Sequence, residues 1–130
     1  NLYALDAATG ALKWKLPTGN DVRSTPLVAN GLVYFGSADG VIYAVDQQGG
    51  TTRWTYKTGA AINRSSPTLA NGLVYVSSED AYVYGLDPQS GSLVQKFQTG
   101  GVIHSTPLVA NGLLYVGSFD GYVYAFDVTR

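Results

Sequence analysis

The chain has 130 residues, 45% of them hydrophobic, with 16 glycines and a formal net charge of −1. That length suits one domain, and so small a charge excludes the general basic surface of a nucleic-acid binder. The absence of cysteine excludes disulfides, zinc thiolates and thiol nucleophiles.

No apolar run approaches the ~20 residues that cross a bilayer as a helix, and no signal peptide is visible. Methionine is absent even at position 1, which sets the expectation of a chain that was processed or excised from something longer.

Residues 1–19 read as two strands joined by the turn "DAATG". Asp6 opens that turn, where a carboxylate can bond the backbone two residues on; Gly10 closes it and tolerates a left-handed backbone. In the second strand, "ALKWKL", Leu12, Trp14 and Leu16 alternate with Lys13 and Lys15. Alternation with outward lysines is the mark of an outermost strand protected against edge pairing.

Residues 20–59 hold four strands. "STPLVA" meets "LVYFGS" across Asn30-Gly31, a pair suited to the positive φ values of a type I′ hairpin. Asp39-Gly40 turns into "VIYAVD". Asp46 then opens "DQQGG", which closes at Gly50 and leads to "TTRWTYK" with Trp54. Residues 60–100 repeat the order, through Asn71-Gly72 and the turn from Asp87 to Gly91. Here Glu79-Asp80-Ala81 replaces Asp-Gly, and the missing glycine predicts a different turn type. Residues 101–130 supply only three strands, with turns at Asn111-Gly112 and Asp120-Gly121 and an end at Asp127.

Asn-Gly, Thr-Gly and Tyr-x-x-Asp landmarks all recur at intervals of 40 or 41 residues. That period fits a four-stranded propeller blade. The expected fold is therefore all-β, a single repeat array of stacked antiparallel blades, about three per chain. Residues 1–19 form the C–D hairpin of one blade, 20–59 and 60–100 are blades, and 101–130 are strands A–B–C of another. B and C read as near-continuous apolar runs, so they are buried on both faces; D lies outermost and A lines the axis. No helical periodicity occurs.

"ALDAATGALKW" (Ala4 to Trp14) and "AVDQQGGTTRW" (Ala44 to Trp54) resemble the tryptophan-docking motif of quinoprotein-type (PQQ) propellers. "GLDPQSGSLVQ" is a third copy with Gln95 in place of tryptophan, and "AFD" begins a fourth. The resemblance implies that Trp14 and Trp54 dock successive blades on the turns built by Asp6, Asp46, Asp87, Gly10, Gly50 and Gly91. It implies three functional classes: PQQ dehydrogenases, a propeller lipoprotein that helps assemble outer-membrane barrels, and sensor regions of kinases. It also implies a periplasmic or exported location.

Residues that the repeat does not account for are the candidates for function. Once the turn aspartates and outer-strand cations are set aside, Asp21, Arg23, Arg64 and His104 remain, all in the D–A loops, with Asn20 and Asn63 beside them. Arg23, Arg64 and His104 each precede the serine of strand A, so equivalent positions aimed at one mouth are expected. A ring of cations there would attract an anion or an acidic peptide. Solvated loop residues are the alternative. No catalytic residue is expected, because no serine nucleophile with a base and an orienting group stands out. No metal site and no cofactor are expected either; PQQ would need calcium ligands and a stacking tryptophan that this sequence does not place.

The expected function is a non-enzymatic scaffold binding a protein, a peptide or a small anion. A fragment of a PQQ dehydrogenase and a purely structural repeat protein are the alternatives. The 17 identities in 23 positions between Ser24–Asp46 and Ser105–Asp127 favour recent amplification of the unit. The expected partner is the chain itself, in a head-to-tail homodimer closing a six-bladed ring, or the remaining blades of a longer parent. A protein or peptide partner is a further expectation; nucleic acid and a membrane span are not.

Overall fold

A computed structural model describes all of residues 1–130. It contains thirteen strands and no helix. β1 (Leu2–Leu5) and β2 (Leu12–Leu16) form a two-stranded sheet. β3 (Leu27–Ala29), β4 (Leu32–Gly36), β5 (Val41–Asp46) and β6 (Thr52–Lys57) form a four-stranded sheet in sequence order. β7 (Thr68–Ala70), β8 (Leu73–Ser77), β9 (Tyr82–Leu86) and β10 (Leu93–Gln98) form another. β11 (Leu108–Ala110), β12 (Leu113–Gly117) and β13 (Val123–Asp127) form a three-stranded sheet. All pairings are antiparallel. The protein is an all-β array of propeller blades.

The turns follow from their residues. Asn30, Asn71 and Asn111 sit at φ 51–55°, each before a glycine at 75–78°, as a two-residue hairpin loop requires. The turn at Glu79-Asp80-Ala81 departs from expectation. Ala81 adopts φ 75°, beside 83° at Gly40 and 91° at Gly121. Its N–H bonds the Ser78 carbonyl just as Gly40 bonds Ser37 and Gly121 bonds Ser118. The fold thus holds one turn geometry in all three copies and forces an alanine into a left-handed conformation.

The serine before each inner strand has a defined task. Ser24 Oγ donates to the Gly36 carbonyl and accepts the Gly36 N–H, both at 3.0 Å, and Ser105 does the same with Gly117. The inner strands then link from blade to blade: Thr25 N–H donates to Ser66 Oγ (2.8 Å), and Ser66 N–H to Thr106 Oγ1 (3.0 Å).

The core lies between sheets. Leu32, Tyr34, Ile42 and Ala44 of one sheet pack on Val74, Val76 and Leu86 of the next. Leu73, Tyr75 and Val83 pack in turn on Leu114 and Val116. β4 and β8 are buried along their whole length, because each is sandwiched on both faces. Leu12 departs from its expected inward alternation. It is exposed, and the ladder is irregular between Ala4 and Leu5, whose partner is Leu12.

Candidate functional site

Each aspartate of a strand C end builds its turn. Asp6, Asp46 and Asp87 accept backbone N–H groups two and three residues on, from Ala8 and Thr9, Gln48 and Gly49, and Gln89 and Ser90. The Thr9 and Ser90 amides in particular hold the Asp6 and Asp87 carboxyls below the usual carboxylate range. Gly10, Gly50 and Gly91 close these turns at φ 73–74°. Over Gly50 lies the Trp14 indole and over Gly91 the Trp54 indole, so near that a Cβ on either glycine would come within 2.6 Å of a ring. Trp14 Nε1 donates to the Gln47 carbonyl (3.1 Å) and Trp54 Nε1 to the Pro88 carbonyl (3.0 Å). Gln95 reaches the corresponding carbonyl, that of Val128, at 3.5 Å.

The B–C turn aspartates tie each blade to the loop before it. Asp39, Asp80 and Asp120 accept the N–H of Gly19, Gly59 and Gly100 at 2.8–3.0 Å and the hydroxyl of Tyr43, Tyr84 and Tyr124. Burial, reinforced by the bond to Asp39, pushes the Tyr43 phenol up to about 12.

The candidate residues of the D–A loops lie on the same rim. The structure corrects their alignment. Backbone bonds from Ala38, Glu79 and Phe119 reach the carbonyls of Asp21, Ala61 and Val102. Counting on from those carbonyls, Arg23, Asn63 and His104 are equivalent. Arg64 is an extra residue, in a left-handed conformation at φ 69°. It is exposed and makes no salt bridge. Arg23 pairs with Asp21 at 2.9 Å, both exposed.

Asn63 and His104, from successive blades, converge on one oxygen. Asn63 Nδ2 donates to Glu79 Oε1 at 2.8 Å, and His104 Nε2 lies 2.6 Å from the same atom. The Asn63 bond, with help from His104 and the charge of Arg23, holds the Glu79 carboxyl below its ordinary value against the opposing effect of burial. Phe119, 71% exposed, meets the His104 ring edge-on at 4.6 Å. Asn63 Oδ1 and His104 Nδ1 are buried without a partner. Asn20 uses its side chain locally, accepting the Asp21 N–H. The expected circle of three cations is thus a cation paired with its neighbour, a free arginine, and a histidine joined to a glutamate.

Glu79 and Phe119 were hidden because they stand in turns. Their signal was departure from the repeat: the equivalent position in the first full blade is Ala38.

Away from this rim, one apolar hollow of about 270 Å³ opens between β1–β2 and the first full blade, lined by Leu2, Tyr3, Trp14, Pro26, Val28 and Val33 among others. It holds no titratable cluster.

Similar proteins place this geometry. The crystal structure of BamB from Moraxella catarrhalis superposes with a TM-score of 0.85 at 29% identity, over 97% of this chain and 39% of that one. A quinohemoprotein alcohol dehydrogenase from Pseudomonas putida HK5 superposes with a TM-score of 0.74 at 27% identity, over 88% of this chain and 20% of that one. Outer membrane protein assembly factor BamB of Yersinia pestis is 30% identical over 54 residues, which cover 42% of this chain and 14% of that protein; that of Moranella endobia is 28% identical over the same length. The chain thus spans well under half the length of these relatives. The family model described as outer membrane protein assembly factor BamB matches residues 1–130, and the chain belongs to that family of PQQ-like β-propellers.

Proposed function

We propose that this chain is part of a non-enzymatic, protein-binding propeller scaffold of the periplasm, whose contact surface is the rim of D–A loops and B–C turns. The observation that carries this is the bridge from Asn63 and His104 of successive blades to Glu79, with Arg64 and Phe119 exposed beside it. A rim fixed by polar bonds yet displaying an arginine and an aromatic ring has the residue types that dominate protein contacts. Arg23 and Arg64 are the residues that meet the partner, Asp21 orients Arg23, and His104 and Asn63 hold the rim in place through Glu79. The named role of the matched relatives, assembly of outer membrane proteins, supports a protein rather than a small molecule as ligand.

The blade-docking assignment belongs to the same reading. Trp14 and Trp54 lock successive blades by packing on the glycine turns of their neighbours. The open faces at either end are covered by further blades, from a second copy or a longer chain.

No group of three or more His, Cys, Asp or Glu side chains converges to hold a metal. Neither is a nucleophile paired with a base: His104 Nε2 is engaged by Glu79 and its Nδ1 is buried. No helix is long and apolar enough to cross a membrane.

The test is titration with a labelled oligoglutamate peptide. Saturable binding, weakened about fivefold or more by Arg64→Ala and by Arg23→Ala, is expected, since each removes a guanidinium able to grip carboxylate. Titration curves that both variants leave unchanged would remove the rim as an acidic-peptide site.

A further inference from the structure

The outer strands of the blades differ in how their free edge is guarded, and we infer that the edge of β10 docks an extended segment of a partner protein, one that carries a basic residue to pair with Asp87. This surface is separate from the rim of D–A loops. It adds to the scaffold reading a second contact and the chemistry of what that contact takes.

β2, β6 and β10 each pair on one side only, with β1, β5 and β9. An unpaired strand edge templates further pairing unless charges guard it. The ladders make Lys13, Arg53 and Val94 equivalent, each immediately before the residue that faces Ala4, Ala44 or Gly85. β2 presents Lys13 and Lys15, and β6 presents Arg53. β10 has Lys96 alone, and that ammonium is folded over the Tyr82 ring, 4.0 Å from its centre. What β10 displays instead is Leu93 and Val94, 42% and 44% exposed.

The outward direction at this position belongs to the blade itself. Lys13 and Arg53 are both exposed, although a complete four-stranded sheet is docked beside each through Trp14 and Trp54.

The same substitution leaves a charge unanswered. Asp6 and Asp46 each give Oδ1 to the amides of their turn and Oδ2 to a cation, Lys13 at 4.0 Å and Arg53 at 3.9 Å. Asp87 Oδ1 likewise accepts the Gln89 and Ser90 amides and the Ser90 hydroxyl, but its Oδ2 has no cation within salt-bridge distance. The Arg130 guanidinium donates to the Asn71 carbonyl instead. A strand added along β10 supplies what is missing. The long stem of its arginine or lysine lies over Val94 and brings the charged head to Asp87. Backbone pairing gives such a contact its affinity, and the side chains give it selectivity.

The probe is a fluorescein-labelled ten-residue peptide of alternating valine and threonine with arginine at one central position. Saturable binding is expected, about threefold tighter than for the same peptide with glutamine there, and weakest with glutamate. Val94→Lys restores the arrangement of β2 at an exposed position, which leaves the fold intact. It should weaken the arginine peptide about tenfold and erase its advantage over glutamine, since the carboxylate is then answered within the chain and the edge is guarded. Asp87→Asn keeps an acceptor for the turn amides and removes the charge, so it should erase the advantage alone. Hydrogen exchange should slow on binding in Leu93–Gln98 and not in Thr52–Lys57.

Oligoglutamate titration reads the rim, and Val94→Lys should leave it unchanged, so the two surfaces fail separately. Absence of saturable binding, an arginine preference that survives Val94→Lys, or equal slowing in β6 and β10 overturns the proposal. A dimer that Val94→Lys dissociates would also overturn it, in favour of pairing between two copies at this edge.

Discussion

Ala81 is the residue most at odds with its backbone. A left-handed conformation costs an L-residue roughly 1–2 kcal/mol, and glycine is exempt. Ala81 occupies φ 75° only because the bond from its N–H to Ser78 and the pairing of the flanking strands fix the turn. Ala81→Gly should therefore stabilise the fold by about 1 kcal/mol, the relief of native strain exceeding the extra freedom of the unfolded chain. Chemical denaturation measures it; a loss of stability would show that the turn is not strained. The carboxylates make a second prediction at this scale. Asp6, Asp87, Asp120 and Asp127 all have lowered values, held by local amides and hydroxyls, and Glu79 is lowered chiefly by Asn63. Groups whose folded values lie below their unfolded ones contribute stability above pH ~4, and that contribution is lost as pH falls through the folded values. The melting temperature should accordingly be flat from neutral pH down to about 5 and fall below 4. Asn63→Leu should move the Glu79 carboxyl resonance upward in its titration without altering that of Asp6.

At the scale of an element, the unit that repeats is a turn with an indole on it. Gly50 and Gly91 need glycine twice, for positive φ and for the ring 2.6 Å from where a Cβ would stand. Gly10 has the same φ of 74° but nothing within 4 Å. Gly10→Ala should then cost only the backbone penalty, about 1 kcal/mol. Gly91→Ala should cost several times that, because it also displaces a ring that is only 8% exposed. Equal losses in the two variants would mean that the indole carries no packing load. Trp54→Ala should cost about 3–5 kcal/mol, in the range for emptying a buried aromatic site. This element was legible in the sequence because its chemistry is local: Asp to open, Gly to close, Trp at fixed spacing. The hairpins at Asn30, Asn71 and Asn111 were legible for the same reason. What the sequence concealed was set between elements. The extra residue at Arg64 shifts the alignment of one loop, so that Asn63 and not Arg64 stands with Arg23 and His104. Glu79 sits in a turn yet serves the neighbouring blade. Ala81 keeps a glycine's conformation because the strands on either side leave no alternative. No local propensity reports any of these.

For the whole molecule, stability should grade from the middle outwards. Arrays of this kind draw their stability from the interface each unit makes with its neighbours. The two four-stranded sheets are covered on both faces, whereas β1–β2 and β11–β13 are covered on one. The Thr25–Ser66–Thr106 chain of bonds reinforces two of the three junctions, the central one and that to β11–β13, and leaves the junction to β1–β2 without such a bond. Local opening then begins at the ends, and amides should exchange in contiguous groups rather than uniformly. Exchange should be slowest for Leu32–Gly36 and Leu73–Ser77 and fastest for Leu2–Leu5. The same measurement bears on the rim. Asn63 and His104 join two blades through a single carboxylate oxygen, so Glu79→Gln should speed exchange in the loops on both sides of that junction and leave the Thr18–Asp21 loop unchanged.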